Sequence, residues 1–172
     1  MYLETARLCI RDFVPEDADA LHEILGDAET MRFCEPAYTP EQTQQFLAAF
    51  CIGRRGAVAA VHRRSGKLIG YLLFNRYTDS VYEMGWMFNR SFWHRGYAFE
   101  ACSAVIDHAF TVLHIHRIFA ETIDGGRSAR LMQRLGMHLE GTLRSHATDN
   151  AGRWRDMYLY GILDTDRSRY GR

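Results

Sequence analysis

The segment Trp93-His94-Arg95-Gly96-Tyr97-Ala98 holds residue types that can bind an anion. It follows Trp86-Met87-Phe88, which reads as the end of a strand, and it opens directly into a helical pattern. The first amides of a helix have no internal partner, and the macrodipole adds partial positive charge there. A glycine at such a start lets the backbone approach the anion, and a neighbouring arginine adds a full charge. Gly96 and Arg95 meet both conditions, so the turn suits a pyrophosphate. The bland alternative is an ordinary strand-to-helix turn.

The elements that must position this turn follow from periodicity. Arg7 to Phe13 alternates as a first strand. Pro15 starts a helix with Leu21, Ile24 and Leu25 on its buried face, and Gly26 stops it. Thr39-Pro40-Glu41-Gln42 is a capping-box start for a second helix running to about Gly53. Ala57 to His62 and Lys67 to Asn75 are strands around the turn Arg63-Arg64-Ser65-Gly66, and Tyr82 to Phe88 completes a meander. A long helix covers Tyr97 to Leu113, with Ala98, Ala101, Cys102, Val105, Ala109 and Val112 at helical spacing. Arg117 to Thr122 is a short strand, Ser128 to Leu135 a helix ended by Gly136, and Met137 to Arg144 and Arg153 to Leu163 are the closing strands. This order predicts an α/β (α+β) fold with a mixed sheet. It lacks the βαβ alternation and G-x-G-x-x-G of a dinucleotide fold.

Composition narrows the function. The chain has 172 residues, 47% hydrophobic and 24% charged, so we expect a single domain over residues 1–166 and a polar tail over 167–172. The formal net charge is +0, so no global field draws the protein to nucleic acid or anionic membrane, and any phosphate site must be local. Cys9, Cys34, Cys51 and Cys102 have no metal-type spacing and read as reduced thiols of a cytoplasmic protein. The histidines, among them His94, His108, His114 and His116, pair with no cysteine, so no metal is expected. No signal peptide or apolar run of membrane-spanning length is evident.

Further motifs accompany the anion turn. They are Glu4-Thr5-Ala6-Arg7-Leu8-Cys9-Ile10-Arg11, Pro15-Glu16-Asp17-Ala18, Tyr82-Glu83-Met84-Gly85-Trp86, and the turn extended to Phe99-Glu100-Ala101. Ser128-Ala129-Arg130-Leu131-Met132-Gln133-Arg134-Leu135-Gly136-Met137, Glu140-Gly141-Thr142-Leu143-Arg144 and Gly152-Arg153-Trp154-Arg155-Asp156-Met157-Tyr158 follow. In this order and spacing, over nearly the whole chain, they resemble the GNAT superfamily of acyl-CoA N-acyltransferases. Within it the chain looks like the ribosomal-protein (Rim-type) N-acetyltransferase branch. The resemblance implies a mixed, mostly antiparallel seven-stranded twisted sheet, flanked by about four helices and splayed at its central parallel strands. Three positions depart from the family pattern: Trp93 where Arg or Gln is frequent, Gly125 where Asn is frequent, and Met132 where some members carry a tyrosine acid.

The implied reaction moves an acetyl group from acetyl-CoA to an amine. It requires amine deprotonation, oxyanion stabilisation and reprotonation of the thiolate. By resemblance, Met87 and Phe88 border the pantetheine arm and the Phe88 amide donates to the oxyanion. Trp93 and His94 are cofactor-binding residues at the start of the turn, and the amides of Arg95, Gly96, Tyr97 and Ala98 hold the pyrophosphate. Glu83 is the general-base candidate, with a solvent-facing strand carboxylate as its alternative and Glu35, Glu121 and His146 as rivals. Ser128 either contacts the thioester sulfur or simply caps its helix. Glu35, Tyr71, Trp86 and Asp156 are the acceptor-side candidates. The acceptor is a protein N-terminal α-amine or a small-molecule amine. Asp27 to Pro40, Tyr77 to Tyr82 and His146 to Gly152 are the loops expected to select it. A homodimer through the late strands is expected from an exposed edge. The competing reading is a non-catalytic CoA-binding or partner-binding module, favoured by Gly125 and Met132.

Overall fold

A computed structural model describes residues 1–166; the polar tail expected over 167–172 lies outside the described residues. The chain begins with a hairpin of β1 (Tyr2–Glu4) and β2 (Leu8–Asp12). After α1 (Ala18–Leu25) and α2 (Pro40–Phe46) come the antiparallel β3 (Ala57–His62), β4 (Leu68–Thr78) and β5 (Val81–Phe88). α3 (Tyr97–Thr111), β6 (Arg117–Thr122), α4 (Arg127–Arg134), β7 (His138–Thr148) and β8 (Trp154–Leu163) complete it. One eight-stranded sheet has the order β1-β2-β3-β4-β5-β6-β8-β7. The expected seven strands become eight because β1 spans only three residues, too few for alternation to be read.

Local signals explain the helix starts. The Gln42 amide donates to Thr39 Oγ1 (3.2 Å) and the Thr39 amide to Gln42 Oε1 (2.8 Å), which closes the capping box. Beyond Phe46 the helix does not stay α-helical. Leu47–Gly53 winds more widely, burying Leu47 and Cys51 together. Pro15–Asp17 is a single 3-10 turn, and α1 proper starts after it.

The sheet is covered on both faces, which is why Ala57 to Val61 is uninterruptedly apolar and buried. One face packs Val58, Ala60, Leu72, Met84 and Phe88 against Cys102, Val105 and Ile106 of α3. The other packs Ala57, Ala59 and Tyr71 against Leu21, Ile24, Met31, Leu47 and Cys51.

The site is created by a divergence at the middle of the sheet. Parallel β5 and β6 pair at Val81↔Arg117, Tyr82↔Ile118 and Glu83↔Phe119, and then separate. From Met84 onward β5 keeps β4 on one side and no strand on the other. The Asn89 amide donates to the Ile69 carbonyl at 2.9 Å. In an antiparallel ladder hydrogen-bonded pairs alternate, so Met87 bonds to β4 whereas the peptide groups of Trp86 and Phe88 face the opening. The predicted splay is present, and the Trp86 peptide groups and the Phe88 amide face it without a strand partner among the described residues.

Candidate active site

A cleft of about 880 Å³ occupies the splay. Its floor is Glu83 to Phe88 of β5. The turn before α3 and the first residues of α4 close one end, and the α1–α2 loop and the β7–β8 hairpin close the other.

At the first end, Gly96 has φ +79° and stands immediately before α3, so the amides of Tyr97, Ala98 and Phe99 begin the helix without intrahelical partners. That backbone region is open to glycine and strained for branched side chains. Arg7 buttresses the turn from outside. Its Nη1 donates to the Arg95 carbonyl (2.8 Å), its guanidinium lies 4.3 Å from the Tyr97 ring centre, and Glu100 accepts from its Nε (2.6 Å) and its backbone amide (2.8 Å). The Trp93 indole donates to the Phe88 carbonyl at 2.7 Å, tying the turn to the strand end and leaving the Phe88 amide as the group that faces the cleft. Trp93, His94, Gly96, Tyr97, Ala98, Met87 and Phe88 all line it.

Arg95 does not supply the expected charge. Its guanidinium packs 5.7 Å from the Phe92 ring centre and the residue is not part of the cleft wall, because its carbonyl is turned outward to Arg7. Positive charge comes instead from Arg127, Arg130 and Arg134, which line the cleft from α4. Arg127 stacks over Trp93 (4.5 Å) and Arg134 over Phe99 (4.6 Å). Their i, i+3, i+7 spacing was a readable sign of one cationic helix face.

Glu83 is half-buried at the point where β5 and β6 part. Burial, and then the Glu121 carboxylate, raises its carboxyl above the usual carboxylate range. Both carboxylates line the cleft, and among the described residues neither has a hydrogen bond or ion pair. Ser128 does not cap α4. The helix begins at Arg127, and the Asp124 carboxylate accepts from the amides of Gly126 (2.9 Å), Arg127 (3.3 Å) and Ser128 (3.2 Å). A carboxylate meets three orphan donors and the dipole better than one hydroxyl can. Ser128 therefore lines the cleft, and among the described residues its hydroxyl has no hydrogen-bond partner.

The family departures have local causes. A Cβ on Gly125 would lie 3.0 Å from Tyr158 Cε2 and 3.3 Å from its hydroxyl, so the tyrosine fills the space a longer side chain would need. Met132 is buried in the core and has no access to the cleft.

At the acceptor end Glu35 lines the cleft. Trp86 lines it from the opposite, α3-facing side of the strand. Tyr71 lies beneath it, buried between Phe13 and Phe46, and burial pushes its phenol well up. Asp156 is outside: its carboxylate accepts the Ser145 amide (2.8 Å) and pins an irregular stretch of β7. His146 does not reach the cleft either. Among the described residues no group of three or more His, Cys, Asp or Glu is placed to hold a metal ion.

Comparison with known proteins agrees with this geometry. The family model described as "Acetyltransferase (GNAT) domain" matches residues 7–138. The uncharacterized N-acetyltransferase YnaD of Bacillus subtilis (strain 168) is 31% identical over 172 residues, covering 96% of this chain and 99% of the relative. Among solved structures, a GNAT-family acetyltransferase from Bacillus anthracis superposes with a TM-score of 0.88 at 30% identity, over 96% of this chain and 99% of that one. Ribosomal-protein-S5-alanine acetyltransferase from Vibrio fischeri shares the fold, with a TM-score of 0.80 at 22% identity over 96% and 98% of the two chains. With a splayed sheet, a glycine-started helix in the cleft and these relatives along its length, the chain belongs to the GNAT family and is an acetyltransferase.

Proposed function

We propose that the protein transfers an acetyl group from acetyl-CoA to a primary amine by direct attack within a ternary complex. One observation carries this reading. The open edge of β5 leads into the Gly96 turn inside a single cleft, and Glu83 stands at its fork.

Acetyl-CoA, when bound, supplies the activated thioester. The peptide groups of Trp86, with the Phe88 amide beyond them, suit an extended amide-bearing arm, which would lie along them as an added strand. The amides of Tyr97 and Ala98, with Arg127 and Arg130 beside them, suit the pyrophosphate. The Phe88 amide stabilises negative charge developing on the carbonyl oxygen. Glu83, with its raised pKa, accepts the proton of the incoming ammonium, directly or through water. Ser128 can donate toward the departing sulfur. A thiol of pKa ~8.5 needs little such help.

The acceptor end is a mixed acidic and apolar wall, with Glu35, Glu83 and Glu121 beside Phe33 and Met157. It suits a cationic amine carried on an apolar or peptide body. The name of the Vibrio fischeri neighbour makes a protein α-amine one acceptor to test, and a small polyamine is the other. Edge strand β7 leaves Leu139 and Leu143 exposed, which supports a second copy as partner. Four free cysteines suit the reducing cytoplasm.

Thermal unfolding with acetyl-CoA, CoA and ATP tests the cofactor reading. A ligand at ~100 times its Kd adds ~2.7 kcal/mol, a rise of roughly 5–10 °C for a domain of this size. Acetyl-CoA and CoA should give that rise and ATP should not. No shift at millimolar acetyl-CoA would remove the proposal. Spermidine and an alanine-starting hexapeptide, assayed by thiol release, then divide the acceptor classes.

A further inference from the structure

The acceptor end of the cleft is held by a contact between distant parts of the chain. Asn150, at the tip of the β7–β8 hairpin, donates through Nδ2 to the Met31 carbonyl (2.9 Å) and the Glu35 carbonyl (3.2 Å). Its backbone amide points to the Arg32 carbonyl (3.4 Å). All three acceptors belong to the α1–α2 loop, which places Phe33, Cys34 and Glu35 in the cleft wall. That loop contains only turns; the Cys34 amide also donates to the Met31 carbonyl (2.9 Å), but among the described residues the Arg32 and Glu35 carbonyls take no donor from within the loop, and Asn150 supplies it.

The tip itself is stiff. Asp149, with a side chain 1% exposed, accepts from the amides of Ala151 and Arg153 (3.0 Å each). It also takes the Nε groups of Arg153 and Arg155 (3.0 Å each). A buried carboxylate with four donors and two guanidinium partners fixes the turn without help from the α1–α2 loop. Asn150 is thus presented from a rigid hairpin to a loop that needs partners. It is not itself part of the cleft wall.

We propose that Asn150 is a positioning residue for the acceptor amine: by holding the Met31 and Glu35 carbonyls it fixes the Phe33–Glu35 stretch over the amine end of the cleft and so sets acceptor affinity. The inference rests on the acetyltransferase reading of that cleft. It assigns Asn150 no part in acetyl-CoA binding, because none of its hydrogen bonds reaches the Gly96 turn or α4; α4 touches the loop separately, through Arg127 and Glu29 (3.7 Å).

The test compares the intact protein with Asn150→Asp and Asn150→Ala. The first is isosteric but sets an acceptor against two carbonyls; the second only removes the donor. Both should keep the Asp149-centred turn and an acetyl-CoA thermal shift equal to that of the parent. The KM for spermidine or for the alanine-starting hexapeptide should rise about tenfold, with kcat changed less than threefold. A second readout needs no acceptor. Cys34 is the exposed cysteine of the four, yet its thiol is pushed up to about 11 by desolvation and by Glu35. Release of the loop should therefore speed its alkylation by iodoacetamide several-fold at pH 7.5, with Cys34→Ser as the blank. Unchanged Cys34 alkylation and unchanged amine KM in folded variants would overturn the proposal. Absence of an acetyl-CoA shift in the parent protein would instead strike the cofactor reading, while the Cys34 rates would still decide the role of Asn150.

Discussion

The turn at Trp93–Ala98 and the loop over residues 26–39 face each other across one cleft, yet they are held by different physics. The turn is organised by a helix start, a glycine at positive φ and peptide groups of adjacent residues, with Arg7 as an outside brace. The loop is organised by side chains from distant elements: Asn150 holds its Met31 and Glu35 carbonyls, while Arg90 and Arg127 pair with Asp27 (3.1 Å) and Glu29 (3.7 Å). A backbone-built site suits a ligand part that does not vary, as the proposed cofactor would be. A wall made from side chains and tethered loops can change its ligand without disturbing the sheet. Perturbing the two ends should therefore separate cofactor affinity from acceptor affinity, and perturbing the fork between them should remove turnover without removing either ligand.

The fork gives the largest expected effect. Glu83→Gln keeps size and removes the proposed base, so kcat/KM should fall about 10²–10⁴-fold while the acetyl-CoA thermal shift stays. The pH profile sharpens the assignment. In the proposed mechanism the active form is the carboxylate, and burial with the Glu121 charge raises its pKa, so the acidic limb of the rate profile should lie above the ordinary glutamate range. Glu121→Gln removes the like charge, lowers the Glu83 pKa and should move that limb to lower pH. The stability sign is opposite to the activity sign. A carboxyl whose folded pKa is raised adds stability below its unfolded pKa and loses it as pH rises through the folded value. At pH 7 the charged Glu83 thus weighs against the fold, and Glu83→Gln should unfold at a higher temperature than the parent. An inactive variant that is also less stable would point to a structural glutamate.

At the cofactor end the comparison predicts a medium effect confined to one substrate. Gly96→Val forces a branched residue to φ +79°, a cost of roughly 1–2 kcal/mol that the turn relieves only by moving its amides. The acetyl-CoA dissociation constant should rise at least about tenfold. Arg7→Met removes the brace at the Arg95 carbonyl and the partner of Glu100, and about threefold to tenfold weaker acetyl-CoA binding is expected. In both variants isothermal titration should show the loss while Cys34 alkylation stays at the parent rate. Faster Cys34 alkylation in either would mean that the two ends are not independent.

These differences follow what the sequence could show. The Gly96 turn, the Thr39–Gln42 cap and the strand Ala57–His62 depend on residues close in sequence or on a pattern repeated along an element, and each was legible, whereas the splay beside Glu83 came only through the family resemblance. The brace from Arg7, the cap by Asp124 and the tether from Asn150 depend on which groups meet in space. Arg95 shows the limit within a motif: its position in the turn was readable, but the packing of its guanidinium on Phe92 and the bond from Arg7 to its carbonyl were not. β1 was missed for its length, and Tyr71 and Asp156 were placed on the correct strands but not at the cleft surface.

The smallest expected effect concerns the start of α4, where one residue was expected to do the work that two divide. Asp124 accepts from three amides of the helix start, and Ser128 keeps a free hydroxyl at the cleft. Asp124→Ala should cost about 1 kcal/mol of stability, read as a lower unfolding temperature of the unliganded protein. Ser128→Ala should leave that temperature unchanged. Its effect should appear only in turnover, as a fall of about twofold to fivefold in kcat, because the departing thiolate is a weak base. That loss should shrink when the reaction is run above the thiol pKa, where the product leaves unprotonated in any case. If Ser128→Ala lowers the unfolding temperature while kcat is unaffected, the hydroxyl belongs to the helix and not to the chemistry, and the cofactor end of the cleft works through backbone and arginine alone.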